Sequence, residues 1–466
     1  MEKFEELRTK YKSLIYKIYK IYEDEEKIKI EYTFEIPGLA IFNPTTEIEK
    51  RNIKFKNINS DFVKNLVFNI GMVELISYWK CACPKNVIVE CGALNEEQIA
   101  WFKKLYYYGL GEFRYINNIK VSMEEMLNIE VNLKDEYRLN CDDFENSPLD
   151  GTLIPIGGGK DSCVTSELLK DEKDKNLCLI VGGKAPSVEC ARIAGYDGKI
   201  VYVKRTIDKN LLDLNNQGFL NGHTPFSSML AFLSYLISYL TGKEYVALSN
   251  ESSANESNVE GEKINHQYSK SFEFEQDFRR YADKYLKAGV QYFSMLRPLN
   301  ELQIAMLFSR EEKYHKIFRS CNVGSKVVPW EWCAGCAKCL FVYIILSPFL
   351  YKEKLVEIFK EDLFEKESLK EIFLELCGYG KTKPFECVGT YEEVNFAISK
   401  TINSLKEKGI KLPYLLEYYY KNYGLVNTDI DITKRYNEEN NLPKDYDEIL
   451  RKAIFNDWRN SRIFKG

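Results

Sequence analysis

Two groups of residues in this chain have the types and spacing for chemistry. The first is the run GGGKDS, formed by Gly157, Gly158, Gly159, Lys160, Asp161 and Ser162. An apolar segment, residues 153–156, precedes it and reads as a strand buried on both faces. A helical pattern follows over residues 164–169. Glycines between a strand and a helix start let the main chain approach a phosphate closely. The free N–H groups of the helix N-terminus then point at it, making an anion cradle. The run fits neither GxxxxGK[ST] nor GxGxxG. The second group is Cys333, Cys336 and Cys339, a C-x2-C-x2-C run, with Cys321 twelve positions earlier. Four thiolates at this spacing suit a closed tetrahedral zinc site. Three ligands of an iron–sulfur cluster, or buried unligated cysteines, are the alternatives.

Elements of fixed geometry must position both groups. From residue 151 the pattern is βαβα. A strand over 177–181 ends at Gly182 and Gly183, a helix over 187–194 follows, and then a strand over 199–203. Thr224 reads as an N-cap with Pro225 at the first helical position of an apolar helix reaching about 240, before a strand over 245–248. Alternating strands and helices predict an α/β fold, a parallel sheet with helices on both faces. In such sheets ligands sit beyond the carboxyl ends of the strands. The glycine loop, Val181-Gly182-Gly183 and Ser249-Asn250 all occupy such ends. Residues 1–148 read as a separate α+β unit. It comprises an amphipathic helix over 3–22, strands KIKIEYTFEI and NIKFKNI, a helix over 62–79, a strand over 87–90, a helix over 96–108 and a polar linker over 141–148. The expected division is an N-terminal α+β domain (1–148), a nucleotide-binding domain (149–320), a four-cysteine element (321–345) and a mainly helical region (346–466).

Composition narrows the class. The 466 residues are 45% hydrophobic and 29% charged, which is globular rather than disordered. A net charge of -4 gives no global reason to bind nucleic acid. No stretch reaches the roughly 18 uninterrupted apolar residues of a membrane span, the longest, 225–240 and 340–350, reading as buried helices, and the charged first residues carry no leader pattern. Thirteen cysteines in a lysine-rich chain point to reduced thiols and a cytoplasmic enzyme. The sequence sets no oligomeric state.

GGGKDS resembles SGGxDS, the PP-motif of the PP-loop ATP pyrophosphatases, which split ATP into AMP and pyrophosphate. Gly157 stands where that pattern has serine, which removes a hydroxyl donor and leaves the backbone cradle. The cysteine spacing is similar to the zinc knuckle of 7-cyano-7-deazaguanine synthase, itself a PP-loop enzyme. YFSMLRPLNELQIAMLF (292–308) resembles the Pro-Leu plus helix element of that family. Further blocks are NGHTPFS (221–227), SNESSANESN (249–258), NHQYSKSFEFEQDFR (265–279), FRSCNVGS (318–325) and KPFECVGT (383–390). With PIGGGKDS they resemble the UDP-N-acetylmuramoyl-L-alanyl-L-glutamate epimerases, over residues 60–395.

That resemblance implies a PP-loop fold, ATP, Mg²⁺ and a structural Zn²⁺ as cofactors, and a nucleotide-sugar peptide as substrate. Adenylation of the terminal glutamate would remove the carboxylate charge that opposes loss of the α-proton. Reprotonation from the other face would invert the centre, and hydrolysis would release AMP. By the same resemblance, N–H groups of residues 158–162 hold pyrophosphate with Lys160 supplying charge, Asp161 holds Mg²⁺, and Cys321, Cys333, Cys336 and Cys339 hold Zn²⁺. The proton carriers are less determined. His223 and His266 can exchange protons near neutral pH, and Glu251 and Glu256 can act as base or metal ligand. Each equally suits a hydrogen-bonding or capping role. Cys163 reads as a buried thiol or an acid–base cysteine, and His315 as a solvated helix face. Lys270, Arg279, Arg297 and Arg319, with Asn250 and Asn255, are candidates for the substrate's carboxylates and diphosphate, and each cation also suits an ordinary ion pair. The competing functions are a PP-loop nucleobase or tRNA modifier, which would want a basic stripe, and a nucleotide-binding protein without turnover. Gly157 favours the latter; Asp161 and Ser162 oppose it.

Overall fold

The computed structural model describes residues 2–55, 57–132, 148–183, 185–255, 265–266, 268–324, 330–428 and 430–456. The chain opens with helix α1 (Glu2–Lys10) and strands β1 (Ser13–Glu23), β2 (Lys27–Ile36), β3 (Ala40–Phe42) and β4 (Thr45–Glu49). Next come α2 (Asp61–Trp79), β5 (Asn86–Val89), α3 (Glu96–Gly109), α4 (Gly111–Ile116), α5 (Met123–Met126) and β6 (Asn128–Val131). The second half of the sheet is β7 (Thr152–Pro155), β8 (Leu177–Val181), β9 (Ile200–Thr206), β10 (Tyr245–Leu248) and β11 (Gln291–Ser294). Its helices are α6 (Lys160–Leu168), α7 (Ala185–Ile193), α8 (Lys209–Asn216), α9 (Phe226–Thr241), α10 (Phe272–Tyr281) and α11 (Glu301–Ser309). Five helices follow: α12 (Ala337–Leu346), α13 (Lys352–Phe359), α14 (Lys370–Cys377), α15 (Tyr391–Glu407) and α16 (Tyr414–Tyr423), before a last one, α17 (Lys444–Arg451).

All eleven strands of the described residues form one sheet in the order β11-β10-β7-β8-β9-β4-β2-β1-β5-β6, with β3 on β2. The five strands from β7 onward are mutually parallel. Their order, β9-β8-β7-β10-β11, is the doubly wound 3-2-1-4-5 pattern, which reverses direction between β7 and β10. Burial on both faces explains the near-continuous apolar runs of these strands. Leu153, Leu177, Leu179, Val246 and Tyr292 enter one core, while Ile154, Cys178, Ile180, Ala247 and Phe293 enter the other. Helices α2 and α9 cover the first face, with the Phe62 and Tyr239 rings 4.6 Å apart. Helices α11, α12 and α15 build the second core. By contrast β2 alternates buried and part-exposed residues along its length, as an antiparallel strand wet on one side does.

Several sequence expectations need correction. The helix expected over 3–22 ends at Lys10, and SLIYKIYKIYE is strand β1. NIKFKNI forms no strand among the described residues. It starts in a 3₁₀ turn, Lys50–Asn52, and the Lys54 and Phe55 N–H groups donate to the Leu240 carbonyl. Helix α9 begins at Phe226 with Pro225 at the cap position and no side-chain cap, so Thr224 does not cap it. The sheet runs through the expected division at 148, because β4 pairs antiparallel with β9 (Ile48 beside Val203). Most of the expected linker, 141–147, lies outside the described residues. No helix of the described residues is long and apolar enough to cross a membrane.

Candidate functional site

The site gathers at the sheet's reversal point, beyond the carboxyl ends of β7 and β10. After β7 the chain turns through Gly158 at φ +82°, where a Cβ would lie 2.8 Å from the Ser187 nitrogen and 3.0 Å from the Pro186 carbonyl carbon. Only glycine fits there. Gly157 is different: it is exposed, and a Cβ would have nothing within 4 Å, so its lack of a side chain is not a steric demand. Gly159 caps α6 without a side-chain bond, leaving a bare helix start. The Arg319 N–H donates to the Gly158 carbonyl (2.8 Å) and draws the segment before Cys321 over the loop. Beside it the Ser320 hydroxyl oxygen is buried with no partner, as is that of Ser253 after β10. Buried polar atoms of this kind are uncommon in native proteins and want a ligand or water.

Under the loop lies a charge cluster. The fully buried Lys160 ammonium is held by the Asp161 and Glu301 carboxylates. Both carboxylates offset the burial that would otherwise depress the lysine, so its pKa is raised. Asp161, partly exposed, is held below the usual carboxylate range: burial pushes it up, but Lys160, Lys338 and Lys270 pull it down further. Burial pushes Glu301 up to about 7, with Asp161 and Glu251 adding to the rise and Lys160 and Lys338 opposing it. Burial likewise raises Glu251, at the end of β10, against Lys270. The Glu301 N–H donates to Glu393 (2.7 Å), which ties α11 to α15.

A second cluster adjoins the first. His266 Nδ1 bonds the Glu112 carboxylate from α4, and the His223 and His266 ring centroids are 4.2 Å apart. Ligand atoms of Glu112, His223 and His266 all lie within 4.8 Å of one another. The two imidazoles diverge. Burial and the neighbouring His266 and Lys80 charges lower His223 to about 3. Burial also acts to lower His266, but bonds to Cys387 and Glu112 win and raise it to about 9. Cys387 accepts from the Lys270 ammonium at 3.0 Å, and the Lys338 ammonium donates to its carbonyl.

The four cysteines converge at the start of α12. Sulfur separations are 3.4 Å for Cys321–Cys333, 3.7 Å for Cys321–Cys336, and 3.5 Å for both Cys333–Cys339 and Cys336–Cys339. A tetrahedron with metal–sulfur bonds of about 2.3 Å has edges of about 3.8 Å, so this group can hold one metal ion. The Gly324 N–H donates to Cys321 Sγ (3.2 Å). Lys338, between two of these cysteines, is the lysine that reaches Cys387.

Other residues singled out in the sequence fall elsewhere or take different parts. Arg297 is fully buried; it donates to the carbonyls of Glu251 and Lys270 (2.6 Å each) and to Glu275 (3.2 Å), so it positions those two residues rather than presenting a cation. Arg279 donates to the Tyr292 carbonyl on β11. The Arg319 guanidinium turns to the carbonyls of Phe318 and Lys316. Asn250 donates to Ser294 Oγ (3.1 Å), and Ser162 Oγ to the Gly159 carbonyl (3.1 Å). The Val181 end of β8 leads to Gly182 and Gly183, both at positive φ, which line a groove of about 810 Å³ with charged residues of β2, β4 and β9. Burial against Cys190 keeps the Cys163 thiol protonated. His315 is not solvated: it is fully buried, with Nε2 at 3.3 Å from the Phe308 carbonyl. Glu256 and the Asn255 side chain lie outside the described residues. Sequence reasoning missed Glu112, Glu301, Lys338, Cys387 and Glu393. Lys338 was flagged only by standing between Cys336 and Cys339, Glu301 by following Pro-Leu-Asn, and Cys387 by its block KPFECVGT.

A glycine loop and an acid–lysine cluster at the reversal of a doubly wound sheet define an α/β protein built to work on a ligand at that point. Residues 5–295 match the MurL N-terminal domain and residues 317–412 the MurL C-terminal domain. The UDP-N-acetyl-alpha-D-muramoyl-L-alanyl-L-glutamate epimerase of Xanthomonas oryzae pv. oryzae is 32% identical over 352 residues, 73% of this chain and 75% of the relative. Epimerases of the same description from Micromonospora sp. and Salinispora tropica are each 34% identical, over 71% of this chain and 73% and 71% of their own lengths. No solved structure matches. The chain belongs to the MurL family.

Proposed function

We propose that this protein inverts the terminal L-glutamate of UDP-MurNAc-L-Ala-L-Glu, a peptidoglycan precursor, through an acyl-adenylate formed from ATP. The observation that carries the reading is the glycine loop standing over Asp161 and three lysines in a chain whose relatives are named as epimerases of this substrate. The 3-2-1-4-5 strand order with its loop at the reversal supports a PP-loop fold. The sterically closed Gly158 and the bare start of α6 suit a phosphate group. Ser320, its hydroxyl unpartnered beside Gly159, supports the view that it replaces the donor lost at Gly157.

In this reading N–H groups of residues 158–162 receive pyrophosphate, and Asp161, kept ionised by its lysines, is the carboxylate for Mg²⁺. Mg²⁺ would neutralise phosphate charge there. Lys160 serves by fixing Asp161, since its own ammonium is enclosed between Asp161 and Glu301. Lys270 and Lys338 supply positive charge to the rest of the cleft. The four thiolates hold zinc, whose closed coordination fixes the segments carrying Arg319 and Lys338. His266 and His223 border the cleft where proton transfer is required. The test is direct: incubate protein, ATP, Mg²⁺ and the L-Glu substrate, then assay nucleotide and glutamate chirality. AMP, pyrophosphate and D-glutamate are expected; ADP with phosphate, or unchanged chirality, rejects the proposal.

A further inference from the structure

We infer that Cys387 is the base that takes the α-proton of the activated glutamate, acting as a thiolate between Lys270 and His266. This deepens the epimerase reading and rests on it. Two side chains reach the sulfur, and two more fix the main chain that carries the contact. Lys270 Nζ lies 3.0 Å from it, and His266 hydrogen-bonds it while being anchored by Glu112. Lys338 fixes the Cys387 carbonyl, and Arg297 fixes the carbonyl of Lys270, so the two sides of the Lys270–Cys387 contact are held independently. Lys270 also feels the charges of Asp161 and Glu251, which links Cys387 electrostatically to the cluster under the glycine loop.

Exposure sets this cysteine and Cys91 apart from the other described cysteines outside the four-cysteine group, which are buried. Burial pushes Cys91 far up. Burial acts on Cys387 in the same direction, but Lys270, His266 and Lys338 outweigh it and bring the thiol down to about 6. Thiolates beside lysine and protonated histidine are the reactive kind. The step balances simply. An S–H bond forms as the Cα–H bond breaks, and the electron pair moves into the adenylated carbonyl. A proton of solvent origin then reaches the carbon from its other face, and the Cys387 proton returns to solvent.

The test is turnover in D₂O with Cys387→Ser and Cys387→Ala, read at two points. One is ATP–pyrophosphate exchange supported by the L-glutamyl substrate; the other is deuterium at the glutamate α-carbon. Exchange is expected within about twofold of the unaltered protein, with deuterium entry down by about a hundredfold or more. Iodoacetamide at pH 7 should label Cys387 ahead of Cys91 and be blocked by substrate. Deuterium entry at an unaltered rate overturns the assignment. Loss of exchange along with deuterium entry places Cys387 in the nucleotide half-reaction and overturns it too. An unaltered protein that forms no AMP and shows no exchange sinks the acyl-adenylate reading instead, and slow, unprotected alkylation then decides against Cys387 separately.

Discussion

His223 and His266 are neighbours with opposite electrostatic fates, and this has a pH signature. An unfolded histidine titrates near 6.5. His266, raised to about 9 against burial by Cys387 and Glu112, adds stability that is complete below 6.5 and is lost as pH rises through 9. His223, lowered to about 3 by burial and its cationic neighbours, costs stability increasingly as pH falls below 6.5. The pair therefore contributes most near pH 6.5, with limbs on the order of 1–3 kcal/mol on each side. Urea denaturation at pH 5, 6.5 and 9 checks this. His223→Asn should flatten the acid limb and His266→Asn the alkaline one; unchanged limbs in both variants would refute the assignment. None of this was legible in the sequence, where both residues read alike. Their difference comes from the bonds that Cys387 and Glu112 make to His266, two residues more than a hundred positions away from it in opposite directions along the chain. The same blindness explains Arg297 and His315: charge in a sequence suggests a wet side chain, and only the packed fold shows these two to be fully buried.

At the scale of elements, legibility followed periodicity. Strands β8 and β10 and helix α2 were readable because an apolar run or a helical repeat is continuous there. Strand β1 was not. A register shift between Tyr16 and Ile18 breaks its alternation, and the apolar residues then fall at spacings that mimic a helix. The glycine loop was readable because the backbone itself requires glycine at 158. Gly158→Ala should therefore lose on the order of 1–3 kcal/mol locally and abolish nucleotide binding, while Gly157→Ser should be tolerated. Calorimetric titration with ATP distinguishes them, and equal binding by both would contradict the cradle. For the cysteine element we expect one zinc per chain by elemental analysis. Cys336→Ser should release the metal and lower the melting temperature, and with it the activity that needs Lys338 in place. Iron in near-stoichiometric amount, or a metal-free folded protein, would count against zinc. Lys338 escaped notice because the cysteines around it claimed the motif.

Across the whole molecule the β4–β9 junction makes one sheet of what reads in sequence as two units. Glu74 of α2 and Arg205 of β9 reinforce it with a part-buried two-bond ion pair, 2.6 Å at each contact. A chain begun at residue 149 should therefore not behave as an independent domain. Gel filtration of that fragment should give aggregates, and a monodisperse, cooperatively melting fragment would show that the halves are separable. The reason lies in how the complete sheet ends. Among the described residues its outermost strands, NIEV in β6 and QYFS in β11, are four residues each. An edge this short offers a stranger's backbone almost no ladder to extend. Cutting the junction would replace one of these blunt ends with the seven-residue IVYVKRT, a template long enough to recruit copies of itself. The N-terminal strands thus act as a permanent cover for that edge, guarding the protein against self-association whatever else they contribute.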